Sequence, residues 1–297
     1  MTDMAEIFNT LLELFPYAMM GGITAGIICG FLGVFVVSQR VIFLGAALTQ
    51  AAIAGVAFSF LHLINLESML ASLFGIPSVE NSFLHHFEHT FFSLLFAVIA
   101  VFVFSQSFKQ KYLTTDSLLG FIFVIAIAAR IIFIQKSPIA EVSEIEAILK
   151  GDILFIGAGE FYTLLTILII VVSIFTLFSK QLRFVTFDTE TAAAHGLNNK
   201  FWLLFFYLTV GIGISLTTRF VGDVFSFAFL IIPASIAIMV ARSVISVFII
   251  SVLIGGIIPP LAIFIAFELD VSSGPTAVIV AFIVFLTAYL AKKIRMR

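Results

Sequence analysis

The densest cluster of side chains able to do chemistry is Glu80, His85, His86, Glu88 and His89. Imidazole and carboxylate together suit zinc and ions like it. His85, His86, Glu88 and His89 are therefore candidate metal ligands. The run His85-His86-Phe87-Glu88-His89 also spells H-x-x-E-H, an inverted zinc-peptidase motif. Catalysis by that motif needs a helix, a third ligand and a water-filled cleft; a solvated polar loop explains the same residues with fewer requirements. His62 stands alone near the outer end of a predicted span, where an interfacial histidine is the plain reading and a pathway ligand the sharper one. His195 lies in a polar segment and reads as solvated. Arg219 and Asp223 are spaced to pair at i, i+4 on a helix; a role for Asp223 at an outer gate is the alternative. No G-x-x-x-x-G-K-[ST] loop occurs, so no P-loop holds ATP. Cys29 is the single cysteine, which rules out an internal disulfide or a cysteine metal site.

The elements that would hold these groups are dictated by solvent. Of 297 residues, 62% are hydrophobic and 11% charged, with a mean hydropathy of +1.23. A water-facing surface needs about a quarter of its residues charged, so lipid is the solvent that fits. Segments free of Asp, Glu, Lys and Arg run Leu14–Gln39, Val41–Leu66, Thr90–Phe108, Phe161–Ser179, Phe201–Thr218, Val224–Ala241, Ser243–Phe267 and Val271–Ala291. Each is long enough to cross hydrocarbon as a helix. A ninth, Ser117–Ile134, carries Arg130 near one end, where a long side chain can snorkel to the interface. Helices are required because lipid offers backbone groups no hydrogen bonds.

Orientation follows the bias of Lys and Arg towards the cytoplasm. With the N-terminus outside, Arg40, Lys109, Lys111, Lys180, Arg183, Lys200, Arg242, Lys292, Lys293, Arg295 and Arg297 fall inside. Only Arg130, Lys136, Lys150 and Arg219 then fall outside. Nine spans place the C-terminus in the cytoplasm. Residues 67–89 and 135–160 form outer polar stretches and 180–200 an inner one. The N-terminus lacks the positive charge of a cleavable secretory leader, so none is expected. No basic patch exists to neutralise phosphates, which excludes nucleic acid as a partner, and the 37 Phe residues read as lipid-facing and packing bulk. Gly22, Gly26 and Gly30, and likewise Ala47, Ala51 and Gly55, recur every four residues, a pattern that lets helices pack closely in lipid.

Phe187 to Leu197 reads as a short capped helix on the inner side. Asp188 can serve as N-cap, Glu190 suits the positive helix end, and Gly196 suits the C-terminal stop. Such a helix could carry motion from a partner, and an ordinary loop helix would look the same. The spans hold almost no ionisable residue of the sort that drives ion-coupled transport, which favours an energy source on another subunit.

The segment beginning Phe187-Asp188-Thr189-Glu190-Thr191 resembles the cytoplasmic coupling segment of ABC-type permeases for zinc, manganese and iron, F-D-P-E-x-A-x-x-x-G. Further matches keep the family's order. Gly33-Val34-Phe35-Val36-Val37 with Arg40 resembles G-x-F-V-V-x-R-R. Leu44-Gly45, Leu48 and Ala51 resemble L-G-D-x-L-x-H-A. Thr115-Asp116-Ser117-Leu118-Leu119-Gly120 resembles D-x-x-x-G, and Leu149 to Leu154 resembles L-F-G-D-x-L. Phe220-Val221-Gly222 with Phe229 to Ala234 resembles V-G-x-x-L…L-x-I-P-A, and Asp270 to Thr276 resembles D-x-P-x-G-P. The resemblance covers residue 16 or so to the end.

It implies an all-α polytopic bundle, one transmembrane permease domain over residues 1–297, in the bacterial inner membrane. It also implies two permease copies or paralogues with a path between them, a separate cytoplasmic ATPase subunit, and an extracytoplasmic metal-binding protein. Divalent metal is then cargo, and this chain binds no cofactor of its own and is no enzyme. Asp188, Glu190, Thr191 and Gly196 would couple to the ATPase. Gly33, Pro233, Gly274 and Pro275 would be structural. One departure stands out. The family's Asp and His, four apart on one helix face, are Ala46 and Gln50 here. Both would face the path without binding metal strongly. An ion-coupled secondary transporter and, more remotely, an intramembrane zinc hydrolase are the other readings.

Overall fold

The computed structural model describes residues 13, 15–61, 82–105, 114–138, 153–187 and 195–295. Ten α-helices occupy these residues: α1 (Pro16–Ser38), α2 (Ile42–Ser59), α3 (Ser82–Ser105), α4 (Thr115–Lys136), α5 (Ala158–Leu177), α6 (Ser179–Phe187), α7 (Asn199–Val221), α8 (Asp223–Val240), α9 (Val244–Leu269) and α10 (Ser273–Arg295). Among the described residues there is no strand, and nine of the helices are long and apolar enough to cross a membrane. These nine correspond to the nine segments expected from the sequence. The chain is a polytopic all-α bundle.

Helix ends follow local chemistry. Thr114, Asn198 and Ser243 each accept a hydrogen bond from a backbone N–H of the following turn, starting α4, α7 and α9. Pro16 opens α1, where a missing N–H costs nothing. Gly274 and Pro275 fall in the first turn of α10, where proline is tolerated for the same reason. Pro233 lies inside α8 and Pro259 and Pro260 inside α9; in a membrane bundle neighbouring helices stabilise such interruptions.

The centre of the bundle is α1, which packs on α5, α8 and α9. Its small residues set the spacing. A Cβ on Gly26 would lie 2.0 Å from the Gly255 carbonyl oxygen of α9, and one on Gly255 would lie 2.3 Å from the Gly26 oxygen. The two backbones are in contact. One turn on, Ser251 Oγ donates to the Gly30 carbonyl at 2.7 Å. Two turns further along nearly the same face of α1, a Cβ on Gly33 would meet the Leu230 carbonyl of α8 at 2.0 Å. In α2, Gly55 meets the backbone of Phe92 and Ser93 on α3 in the same way. Without a hydrophobic drive between helices in lipid, such close fits supply the attraction. The inner faces are filled by Phe35, Phe104, Phe206, Phe225 and Phe229, all buried, while Phe102, Phe121 and Phe282 are exposed on the outer faces of the bundle.

Two of the sequence expectations are corrected by the helices themselves. Residues 82–89 were expected in an outer loop, but α3 begins at Ser82, so His85, His86, Glu88 and His89 sit on its first turns. Their polarity hides the helix from a hydropathy reading, and no glycine or proline interrupts the backbone there. The stretch 180–200 was expected to be polar, with a helix read only from Phe187 onward. It contains α6, which buries Leu182 and Val185 and turns Lys180 outward.

Gly26→Val would force a branched side chain into the Gly255 backbone. The expected result is a loss of about 3 kcal/mol or more, since no flexible neighbour can give way. A thermal unfolding midpoint in detergent that stayed within a degree of the wild type would contradict the backbone contact.

Candidate functional site

A cavity of about 540 Å³ opens among α2, α4, α8 and α10. Phe43, Ala46, Thr49 and Gln50 present one face of α2 to it, and Phe227, Ile231 and Ile232 come from α8. The two positions expected to face a path, Ala46 and Gln50, are on its wall. Most of the lining is apolar, which makes its polar members conspicuous.

Those members are tied together. Asp223, the first residue of α8, accepts a hydrogen bond on Oδ2 from Gln50 Nε2 at 2.8 Å. The same oxygen accepts from Arg130 of α4 at 3.3 Å, forming an ion pair. Asp223 Oδ1 accepts from the Val224 backbone N–H at 2.8 Å, within its own first turn. The side chains of Arg130 and Asp223 are 23% and 14% exposed, so most of the pair is withdrawn from its surroundings. Gln50 Oε1 and Arg130 Nε are buried without a hydrogen-bond partner among the described residues.

The pairing differs from the expectation in two respects. Asp223 does not pair with Arg219 along a helix. Gly222 stands between α7 and α8 with φ of 81°, so the chain turns and the i, i+4 relation is lost. Arg219 instead lies over the Phe220 ring, 5.2 Å from its centre. Arg130, expected near the end of its span, directs its side chain to Asp223 of α8. Gln50 is halfway along α2, and Gly33, near the end of α1, already packs on Leu230, seven residues past Asp223. The α7–α8 turn is therefore recessed towards mid-bundle, and a charged pair sits where none was expected. The sequence signal was present in the short interval between Arg219 and Pro233, but nothing local revealed how far the turn dips.

The histidine cluster is partly described. Glu88 and His89 are buried, 5% and 4% exposed. His89 stacks on Phe60 with ring centres 4.3 Å apart, and its Nδ1 lies 2.5 Å from Ser59 Oγ. These contacts join the ends of α2 and α3. Among the described residues no group of three His, Cys, Asp or Glu could hold a metal ion. The side chains of His85 and His86, together with Glu80 and His62, lie outside the described residues. So do Asp188, Glu190 and Thr191. Gly196 is described, in a turn with φ of 75°, and His195 beside it stacks on Phe184 of α6.

Just ahead of that segment, Gln39 links three elements. Its Nε2 donates to the Thr186 carbonyl at the end of α6, 3.4 Å away, and its Oε1 accepts from Tyr207 of α7 at 3.0 Å. Arg40 follows with φ of 60°, closing a tight turn into α2.

The family model for "ABC 3 transport family" matches residues 12–292. The chain belongs to this family. Among its relatives is the "Manganese transport system membrane protein MntC" of Listeria monocytogenes, 26% identical over 273 residues, covering 92% of this chain and 89% of that protein. The "Manganese import system permease protein ScaB" of Streptococcus gordonii is 27% identical over 275 residues, covering 92% and 89%. In the solved structure "PsaBC from Streptococcus pneumoniae in complex with Fab", one chain shares the fold with a TM-score of 0.76 at 23% identity, over 95% of this chain and 94% of that one. The bundle described above is thus an ABC permease fold, with the α2 wall of its cavity built from the positions where the family resemblance departs.

Arg130→Ala would leave the Asp223 carboxylate without its charge partner. The expected loss is about 3 kcal/mol, the low end for a broken buried pair because both side chains keep some exposure. Adding Asp223→Asn to that variant should recover most of it. Strict additivity of the two single losses in a double-mutant cycle would show that the groups do not interact.

Proposed function

We propose that this chain is the membrane-spanning permease subunit of an ATP-driven importer, and that its cargo is a divalent metal of the manganese or iron class. The observation that carries the reading is the family match over residues 12–292, joined to a cavity whose wall includes Ala46 and Gln50. The names of the manganese-transporting relatives support the cargo. No P-loop occurs in the sequence, so energy is taken from a separate cytoplasmic ATPase subunit. A second copy of the chain, or a paralogue, completes the path, and an extracytoplasmic binding protein delivers the metal. The N-terminus lies outside and the C-terminus in the cytoplasm of a bacterial inner membrane.

In this reading the ATPase grips residues 187–197, through Asp188, Glu190, Thr191 and Gly196. The short helix α6 enters that segment, and Gln39 ties its end to α1 and α7. A displacement of the segment would therefore be felt directly by two of the spanning helices. Gly33, Pro233, Gly274 and Pro275 shape the bundle rather than the cargo site.

The Arg130–Asp223 pair gives one reason to keep an ion-coupled secondary transporter as the second reading, since ionisable groups at depth often serve as relays. Transport by this chain alone in vesicles, driven by a proton gradient, would favour it.

Purification of the tagged chain should bring an ATPase subunit with it; absence of any such partner, even after crosslinking, would defeat the importer reading. Asp188→Lys should leave ATP hydrolysis running while metal uptake falls by about tenfold or more, given the reversal of charge at a docking contact. Uptake at the wild-type rate would remove Asp188 from the coupling role.

A further inference from the structure

We propose that Asp223 and Gln50 form an oxygen-donor site for a divalent cation, and that Arg130 is its built-in counter-ion, displaced when the cation enters. This rests on the transport reading above and names the groups of the path that meet the cargo.

The donors are specific atoms. Asp223 Oδ1 is held by its own helix through the Val224 N–H. Asp223 lines the cavity, and its Oδ2 carries the two contacts to Gln50 and Arg130. Gln50 also has a second polar atom, Oε1, buried and without a partner among the described residues. The carbonyl and amino ends of a glutamine amide are nearly the same size, so a half-turn of the amide offers Oε1 to a cation beside Oδ2. The Thr49 hydroxyl is on the same wall. Carboxylate, amide carbonyl and hydroxyl are hard oxygen donors of the kind that suit manganese and its neighbours, whereas imidazole at position 50 would suit zinc.

Arg130 is held in a way that permits departure. It touches Asp223 through one nitrogen at 3.3 Å rather than a two-pronged contact, and its Nε makes no hydrogen bond among the described residues. Two-pronged pairs are the strong ones. Arg130 lies six residues before the end of α4, so its long side chain can swing towards that end when released. While it stays, the carboxylate is neutralised in a cavity walled by Phe43, Phe227 and Ile231, where an isolated charge would be costly. The exchange also discriminates by charge. A monovalent ion offers the carboxylate no more charge than the guanidinium it must displace, while a divalent ion offers twice as much.

The test uses the full chain in lipid nanodiscs, without ATPase, and Mn2+ as the probe. Binding is read from loss of the free-ion signal in electron paramagnetic resonance. The wild type should show a saturable site. Asp223→Asn should weaken it by about a hundredfold, the site having lost its only charged donor. Arg130→Gln should tighten it by about tenfold, because the cation no longer has to displace a positive charge from the carboxylate, and should make it sensitive to competition by K+. Should Arg130→Gln not fold, Arg130→Lys keeps the charge on a looser tether and should lie between it and the wild type. Gln50→His should raise the preference for Zn2+ over Mn2+ by about tenfold. Unchanged binding in Asp223→Asn, or weaker binding in both Arg130 variants, overturns the proposal. Because no ATPase is present, the result is separable from the importer reading. A site that depends on Asp223 without any co-purifying ATPase would leave the site standing and the importer fallen. Co-purification with Mn2+ binding indifferent to Asp223 would do the reverse.

Discussion

A charged group away from water must find its opposite charge, and in this bundle that requirement joins three helices at one atom. Asp223 Oδ2 receives Gln50 from α2 and Arg130 from α4, while its own helix α8 supplies the carboxylate. None of these helices could shift far along another without breaking a contact that hydrocarbon cannot replace. The same rule acts on the backbone. Thr24, Thr209 and Thr217 return their hydroxyls to carbonyls one turn earlier, so that polar side chains inside the spans satisfy themselves within the helix. The Asp223 cluster is different because it reaches between helices, and it lies on a cavity rather than in packed core.

The glycine contacts complement it. At Gly26–Gly255 and Gly33–Leu230 the backbones meet without side chains between them, so one face of α1 is held by α9 and, two turns further on, by α8. The polar cluster sets the arrangement of α2, α4 and α8, and the glycine contacts set that of α1, α8 and α9. Helix α8 belongs to both groups, which makes it the element through which the two halves of the bundle share their geometry.

Much of this was legible in the sequence, for reasons that can be stated. The nine spans were readable because hydrocarbon imposes length and composition on a helix directly. The small-residue stripe of α1 read as packing, with a glycine-lined path as the other reading, because small residues every fourth position let backbones approach, and it does face α9. That Ala46 and Gln50 face a path is an expectation from family resemblance, not from local physics; both line the cavity. What stayed hidden were relations between distant segments. The partner of Asp223 is 93 residues away on α4, and the expected partner, Arg219, is removed by a single left-handed glycine at 222. The first turns of α3 and the whole of α6 were missed because both carry charges, and hydropathy records charges as loop even where the backbone is helical. His89 shows the same effect at one residue: it reads as a loop ligand, yet it lies flat against Phe60 in the interior.

The seam between α1 and α9 bears on how such a molecule can deform. Two main chains in direct touch have no soft side chains to accommodate sliding; they can pivot about the point of touch, but to slip they must first come apart. Helices α1 and α9 therefore act as one stiff spar, and any rearrangement that opens first one mouth and then the other has to be sought in the helices hung around that spar.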